Sequence, residues 1–146
     1  FDNLAFDQAS KILDENKELS KKLSWNIADK DLTMTLDVHG KILGIAHGHQ
    51  FRVGGANHPA KANNWLSKQA MAKTDIGGCD ILLSAHFHHL SIEHQRNTTL
   101  IQAPALDGGS LWIENSHALT SSPGVLTFTI DKEGVDNIKV LKGYVK

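Results

Sequence analysis

The sequence predicts a single α/β domain, and three observations carry that expectation. Apolar residues recur at helical spacing near the start and again around Trp65. Short apolar runs rich in Ile, Leu and Val alternate with turn residues, and such runs dominate the second half. The length, 146 residues, is enough to bury one core without disulfides or a structural metal, so one domain spans 1–146.

Phe1, Leu4, Ala5, Ala9, Ile12, Leu13, Leu19 and Leu23 fall at roughly helical spacing, with Asp2 or Asn3 as cap, so 3–23 reads as an amphipathic helix. Two strands follow at 32–38 and 41–46, joined tightly at His39-Gly40. Gly54-Gly55-Ala56-Asn57-His58 forms a loop, and Pro59 opens a second helix running to about Lys73 that should bury Ala62, Trp65, Leu66 and Ala70. Gly77-Gly78 stops that helix before a buried strand at 80–85. Runs at 90–94 and 99–103 form a hairpin around Arg96-Asn97, and Leu111–Ile113 is a short apolar element. At 125–130, Leu126, Phe128 and Ile130 alternate with Thr127 and Thr129, and Asp131-Lys132-Glu133-Gly134 turns this strand into a last one at 135–141. The total is about two long helices and seven strands.

The formal net charge is −1, so no overall basic field recruits nucleic acid. Cys79 is the only cysteine, which excludes an internal disulfide and a cysteine-cage zinc site. No run is long and apolar enough to span a membrane as a helix, no signal peptide is evident, and a reducing, cytoplasmic setting is expected.

Nine histidines are present, and two clusters stand out because each follows a strand. The strand at 41–46 leads into His47-Gly48-His49, and the strand at 80–85 leads into His86-Phe87-His88-His89. Strand geometry puts i and i+2 on one side, so each cluster can present two imidazoles together. Neutral imidazole is the commonest metal ligand, and ligand crevices of open α/β sheets lie beyond the carboxyl ends of strands. His47, His86 and His88 are therefore read as metal ligands. His49 and His89 are read as supporting or substrate-facing. His58, with Asn57 and Arg52, lies at a helix N-terminus beside Gly54-Gly55, where backbone N–H groups could hold a phosphate. Asp37-Val38-His39 offers an Asp-x-His pair, yet its place between two strands makes it a hairpin corner.

Taken as a pair, His47-Gly48-His49 and Ala85-His86-Phe87-His88 resemble the two C-terminal metal motifs of the calcineurin-like metallophosphoesterases, with Ala85 where the family has Gly. Gln102 to Ser110 resembles the small-residue loop that follows, and the final hairpin resembles the family's last strands. The resemblance implies the C-terminal half of a β-sandwich flanked by helices. It implies that His47 and His86 serve one metal and His88 its neighbour, in a centre of two divalent ions (Mn, Fe, Zn or Ni) that hydrolyses phosphate mono- or diesters, nucleic acid among them. The family's amino-terminal motifs, Asp-x-His, Gly-Asp-x-x-Asp and Gly-Asn-His, have no usable counterpart here. The expectation is thus a C-terminal portion of a longer enzyme, inactive alone, binding metal weakly or not at all. The face bared by a missing amino-terminal half would favour a homodimer.

Two other readings compete. His86, His88, Glu93 and His117 approach a cupin-like set for one metal, at the cost of loose spacing and of leaving His47 unexplained. A non-catalytic binding module would instead scatter the imidazoles.

Overall fold

The structure, a computed structural model, describes residues 2–24, 32–51, 58–95, 97–106 and 122–142. Its elements are α1 (Asp2–Asp14), α2 (Lys17–Ser20), β1 (Thr33–Val38), β2 (Lys41–Ala46), α3 (His58–Met71), a 3-10 helix (Asp75–Gly78), β3 (Ile81–Ser84), β4 (Ser91–Gln95), β5 (Thr98–Gln102), β6 (Val125–Asp131) and β7 (Gly134–Leu141). The two long helices and seven strands expected from the sequence are all present, with strand ends differing by a residue or so. Leu111–Ile113 lies outside the described residues.

Where one helix was expected over 3–23, the chain breaks after Asp14 and restarts at Lys17. Asn16 causes the restart: its side-chain oxygen accepts from the N–H groups of Glu18 and Leu19, both at 3.2 Å. Ser20 Oγ donates to Asp14 Oδ1 at 2.8 Å and fixes the corner. The apolar side chains Ile12, Leu19 and Leu23 are exposed there.

A five-stranded mixed sheet in the order β1-β2-β3-β5-β4 forms the centre. β2, β3 and β5 run parallel, while β1 and β4 are antiparallel to their neighbours. Parallel central strands must be covered on both faces, which explains why β3 reads as an unbroken apolar run. On one face, Ala46, Leu82 and Leu100 pack with Phe51 and with Ala62, Trp65 and Leu66 of α3. On the other, Leu43, Ile81 and Ile101 meet Leu126, Ile130 and Val135 of the β6–β7 hairpin. Each large aliphatic chain so buried contributes about 1.5–3 kcal/mol. Ala70, expected to be buried, is exposed, one residue before the helix ends at Met71. Gly77-Gly78 belong to that 3-10 helix instead of stopping α3. The mixed sheet also excludes a cupin jelly roll, whose strands are antiparallel.

Candidate metal centre at the carboxyl ends of the parallel strands

The register aligns the last residues of the three parallel strands: Ala46 pairs with Ser84, and Ser84 with Gln102. Three loops therefore leave the sheet along one edge. The ladder continues a step further, with Ala85 N donating to His47 O at 3.1 Å and Ala103 N to Ser84 O at 2.7 Å. These bonds bring the two histidine clusters side by side although 39 residues separate His47 from His86.

The first loop turns at Gly48, which has φ +106°. A Cβ there would lie 2.9 Å from the Ala85 carbonyl oxygen and 3.3 Å from His86 Cβ, so only glycine lets the two loops approach this closely. Gln50 steadies the loop, accepting from Gly48 N at 2.9 Å and donating to Leu32 O at 3.0 Å. Phe51 N donates to Gly48 O at 3.1 Å, and the fully buried Phe51 ring lies 5.1 Å from that of Trp65. The core thus anchors the His47 loop through Phe51. Sequence reasoning missed Gln50 and Phe51; an aromatic two residues after His-Gly-His was the available signal for Phe51.

The second loop is strained. Phe87 N donates to Ala85 O at 2.9 Å across a three-residue turn centred on His86, whose φ is +71°. His88 has φ +60°. Non-glycine residues rarely take such values, at a cost of about 1–3 kcal/mol each.

His47 Nε2 and His86 Nδ1 face each other at 3.2 Å. Their ring centroids are 5.0 Å apart, and the His49 ring joins them at 5.5 Å from His47 and 6.3 Å from His86. His88 makes no ring contact with this trio; its Nδ1 is buried and has no hydrogen-bond partner among the described residues. His89 is exposed, with Nδ1 3.1 Å from the Phe87 carbonyl oxygen. Arg52 and Asn57 lie outside the described residues, and of His58 the structure gives its place as first residue of α3.

The remaining candidates lie elsewhere. His39 (φ +54°) and Gly40 (φ +81°) make the tight β1–β2 turn at the opposite edge, and Asp37 Oδ1 accepts from Gly40 N at 2.8 Å. Glu93 sits within β4, accepting from Gln95 Nε2 at 3.2 Å, and His117 lies outside the described residues. Cys79 is buried, and its thiol is pushed up to about 11, by burial above all, which leaves it protonated and unreactive at neutral pH.

Two imidazole nitrogens about 2.0–2.1 Å from a tetrahedral zinc would stand about 3.3–3.4 Å apart, close to the His47–His86 spacing. The pair fits the imidazole side of one transition-metal ion. Among the described residues, no three His, Cys, Asp or Glu side chains are arranged to hold a metal, so no bridged two-metal centre is assembled from them.

No family model matches the chain, and no curated protein does. Solved structures do. A single mutant of Vps29 from Entamoeba histolytica superposes with a TM-score of 0.51 at 14% identity, covering 89% of this chain and 76% of that one. Wild-type Vps29 from the same organism, complexed with Zn²⁺, gives 0.48 at 15% identity, covering 80% of this chain and 63% of that one. The Thermotoga maritima protein TM1076 gives 0.47 at 15% identity, covering 91% and 73%. The first of these likenesses shows the fold alone: a mixed α/β architecture shared with Vps29. Among the described residues no helix is long and apolar enough to cross a membrane.

Proposed function

We propose that the histidine edge of this chain is the imidazole half of a phosphoesterase-type metal site. His47 and His86 would hold one divalent ion, with His88 reserved for a neighbouring one. His49, with Arg52, Asn57 and His58, would serve the phosphate side. A bound metal would supply Lewis acidity toward a phosphate oxygen and lower the pKa of a bound water. The chain's own residues orient the imidazoles: Gly48 lets the loops approach, and Phe51 ties the first loop to the core.

The observation that carries this reading is the 3.2 Å approach of His47 Nε2 and His86 Nδ1. Such a contact needs one N–H and one lone pair, so at most one proton lies between the rings; a metal ion would replace it and release it. No carboxylate joins the pair among the described residues. Hydrolysis of a phosphate ester is therefore assigned to the site once carboxylates from beyond them complete it, and this chain alone is a poor catalyst. Substrate class is left at phosphate mono- or diester, with nucleic acid included despite the net charge of −1.

Calorimetry with Zn²⁺ and Mn²⁺ tests the site, with nitrophenyl phosphate and bis-nitrophenyl phosphate as substrates. Weak metal binding that His47→Ala and His86→Ala each abolish is expected, with turnover near background. Binding that survives both substitutions would refute the ligand assignment. Efficient Mn²⁺-dependent turnover would refute the claim that the chain is incomplete as a catalyst.

A second reading, a binding module, draws on Leu32, Leu90 and Leu106, which are 67%, 42% and 78% exposed. Leu32 and Leu90 immediately precede β1 and β4 at the same edge, and Leu106 follows β5 there. It is favoured if metal binding is absent and substitutions on this rim, not at the histidines, abolish a physical interaction.

A further inference from the structure

A cleft of about 560 Å³ opens beside β1, lined by none of the histidines assigned above. Thr33, Met34 and Thr35 form one wall; the other comes from the end of α3 and the 3-10 helix, with Gln69, Thr74 and Asp75. Neighbours on a strand point to opposite faces, so three consecutive lining residues mean that the cleft borders the strand's edge. β1 is the terminal strand of its sheet, and its outer edge has no strand partner among the described residues. The edge is lightly protected: its six residues contain no proline or lysine, their one charge is Asp37 at the end away from the cleft, and the register with β2 has no bulge.

The polar groups of the far wall are set for a cation and an amide. Thr74 Oγ1 reaches the carbonyl oxygen of Gln69 at 3.2 Å and its side-chain oxygen at 3.0 Å, which leaves the Gln69 side-chain NH₂ to the cleft. The Asp75 carboxylate makes no hydrogen bond or ion pair among the described residues. We propose that this cleft receives an extended peptide segment carrying lysine or arginine, its main chain added to the free edge of β1 and its cation at Asp75. Main-chain pairing would give affinity and the Asp75 contact selectivity. A second copy's β1 suits the cleft less well, because each copy brings its own wall of Gln69, Thr74 and Asp75 to the same gap.

An NMR titration of ¹⁵N-labelled protein with a blocked Thr-Val-Lys-Val-Thr peptide, and with its counterpart carrying Glu for Lys, tests the proposal. The lysine peptide should shift the amides of residues 33–36 and 74–76 and slow their exchange, and it should bind about fivefold tighter than the glutamate peptide. Asp75→Asn should erase that preference while the shifts at 33–36 persist. Shifts confined to other residues, or equal affinity for both peptides in the parent, would overturn it. So would concentration-dependent protection of the β1 amides without peptide, which would mean pairing between two copies.

Discussion

Replacing Gly48 with alanine puts the histidine edge to a quantitative test. At φ +106° the residue lies beyond the narrow left-handed well that L-residues tolerate. Left-handed backbone costs alanine about 1–2 kcal/mol, and sparsely populated regions up to about 3. The added methyl would meet the Ala85 carbonyl oxygen at 2.9 Å and His86 Cβ at 3.3 Å, so one loop must move by a few tenths of an ångström. Alanine also restricts the unfolded chain, which returns about 0.4–1 kcal/mol. The net loss is about 1–3 kcal/mol.

For a domain of this size that loss lowers the melting temperature by roughly 3–10 °C. The assay is thermal and urea melting of Gly48→Ala against Gly78→Ala, where nothing lies within 4 Å of the added methyl. Gly78→Ala should change stability by no more than about 0.5 kcal/mol. Zinc affinity of Gly48→Ala should fall as well, since the shift separates His47 from His86. A Gly48→Ala protein that melts within about 1 °C of the parent would refute the close-approach reasoning.

Phe51→Ala removes the fully buried ring that anchors the His47 loop and should cost about 3–5 kcal/mol in urea unfolding. Gln102 is 1% exposed, and neither polar atom of its side-chain amide has a partner among the described residues. Gln102→Leu should therefore raise stability by about 1 kcal/mol, and a loss of that size would mean an ordered water holds the amide. Cys79 should alkylate with iodoacetamide at pH 8 far more slowly in the folded protein than in urea. Because burial raises the thiol from 9.0 to about 11, the stability tied to the neutral thiol is fully present below pH 9 and is lost as pH climbs toward 11. Cys79→Ala should lack that alkaline component when melts are followed over the same range.

The sequence made β2 legible to the residue and the other strands nearly so, because buried strands write their pattern locally. It did not reveal the break at Asn16, where a local cap outcompetes a weak helical periodicity. The two apolar runs marked both clusters as strand ends, whereas the adjacency and parallel pairing that bring His47 to His86 depend on non-local contacts visible only in the fold. The role of Asp37 and His39 was decided by place: the tight turn puts them at the far edge. Gln50 was illegible as a site-supporting residue, since its meaning depends on its contact with Leu32 O, and of Phe51 the sequence offered only an aromatic two residues after His-Gly-His. The placement of His88 apart from the trio depends on backbone values that i, i+2 strand spacing does not anticipate, with positive φ at both His86 and His88.

That strain bears on what the second loop is for. A turn whose only task is to leave β3 and enter β4 would take glycine or asparagine at positions with φ +71° and +60°, at little cost. Histidine at both, together with a buried Nδ1 of His88 that has no partner among the described residues, adds several kcal/mol of local destabilisation within three residues. The 3.2 Å contact between His86 and His47 offsets little of it, because both rings are exposed to water. Local choices that contradict the cheapest backbone are expected where a site constrains residue type. On the proposed reading of the site, a ligand able to engage both His86 and His88 Nδ1 would repay that strain on binding. Zinc or manganese should accordingly raise the melting temperature of the parent, and should do so less for His88→Asn, which keeps the positive φ cheaply but removes the imidazole. An equal rise in both proteins would show that His88 serves only the turn.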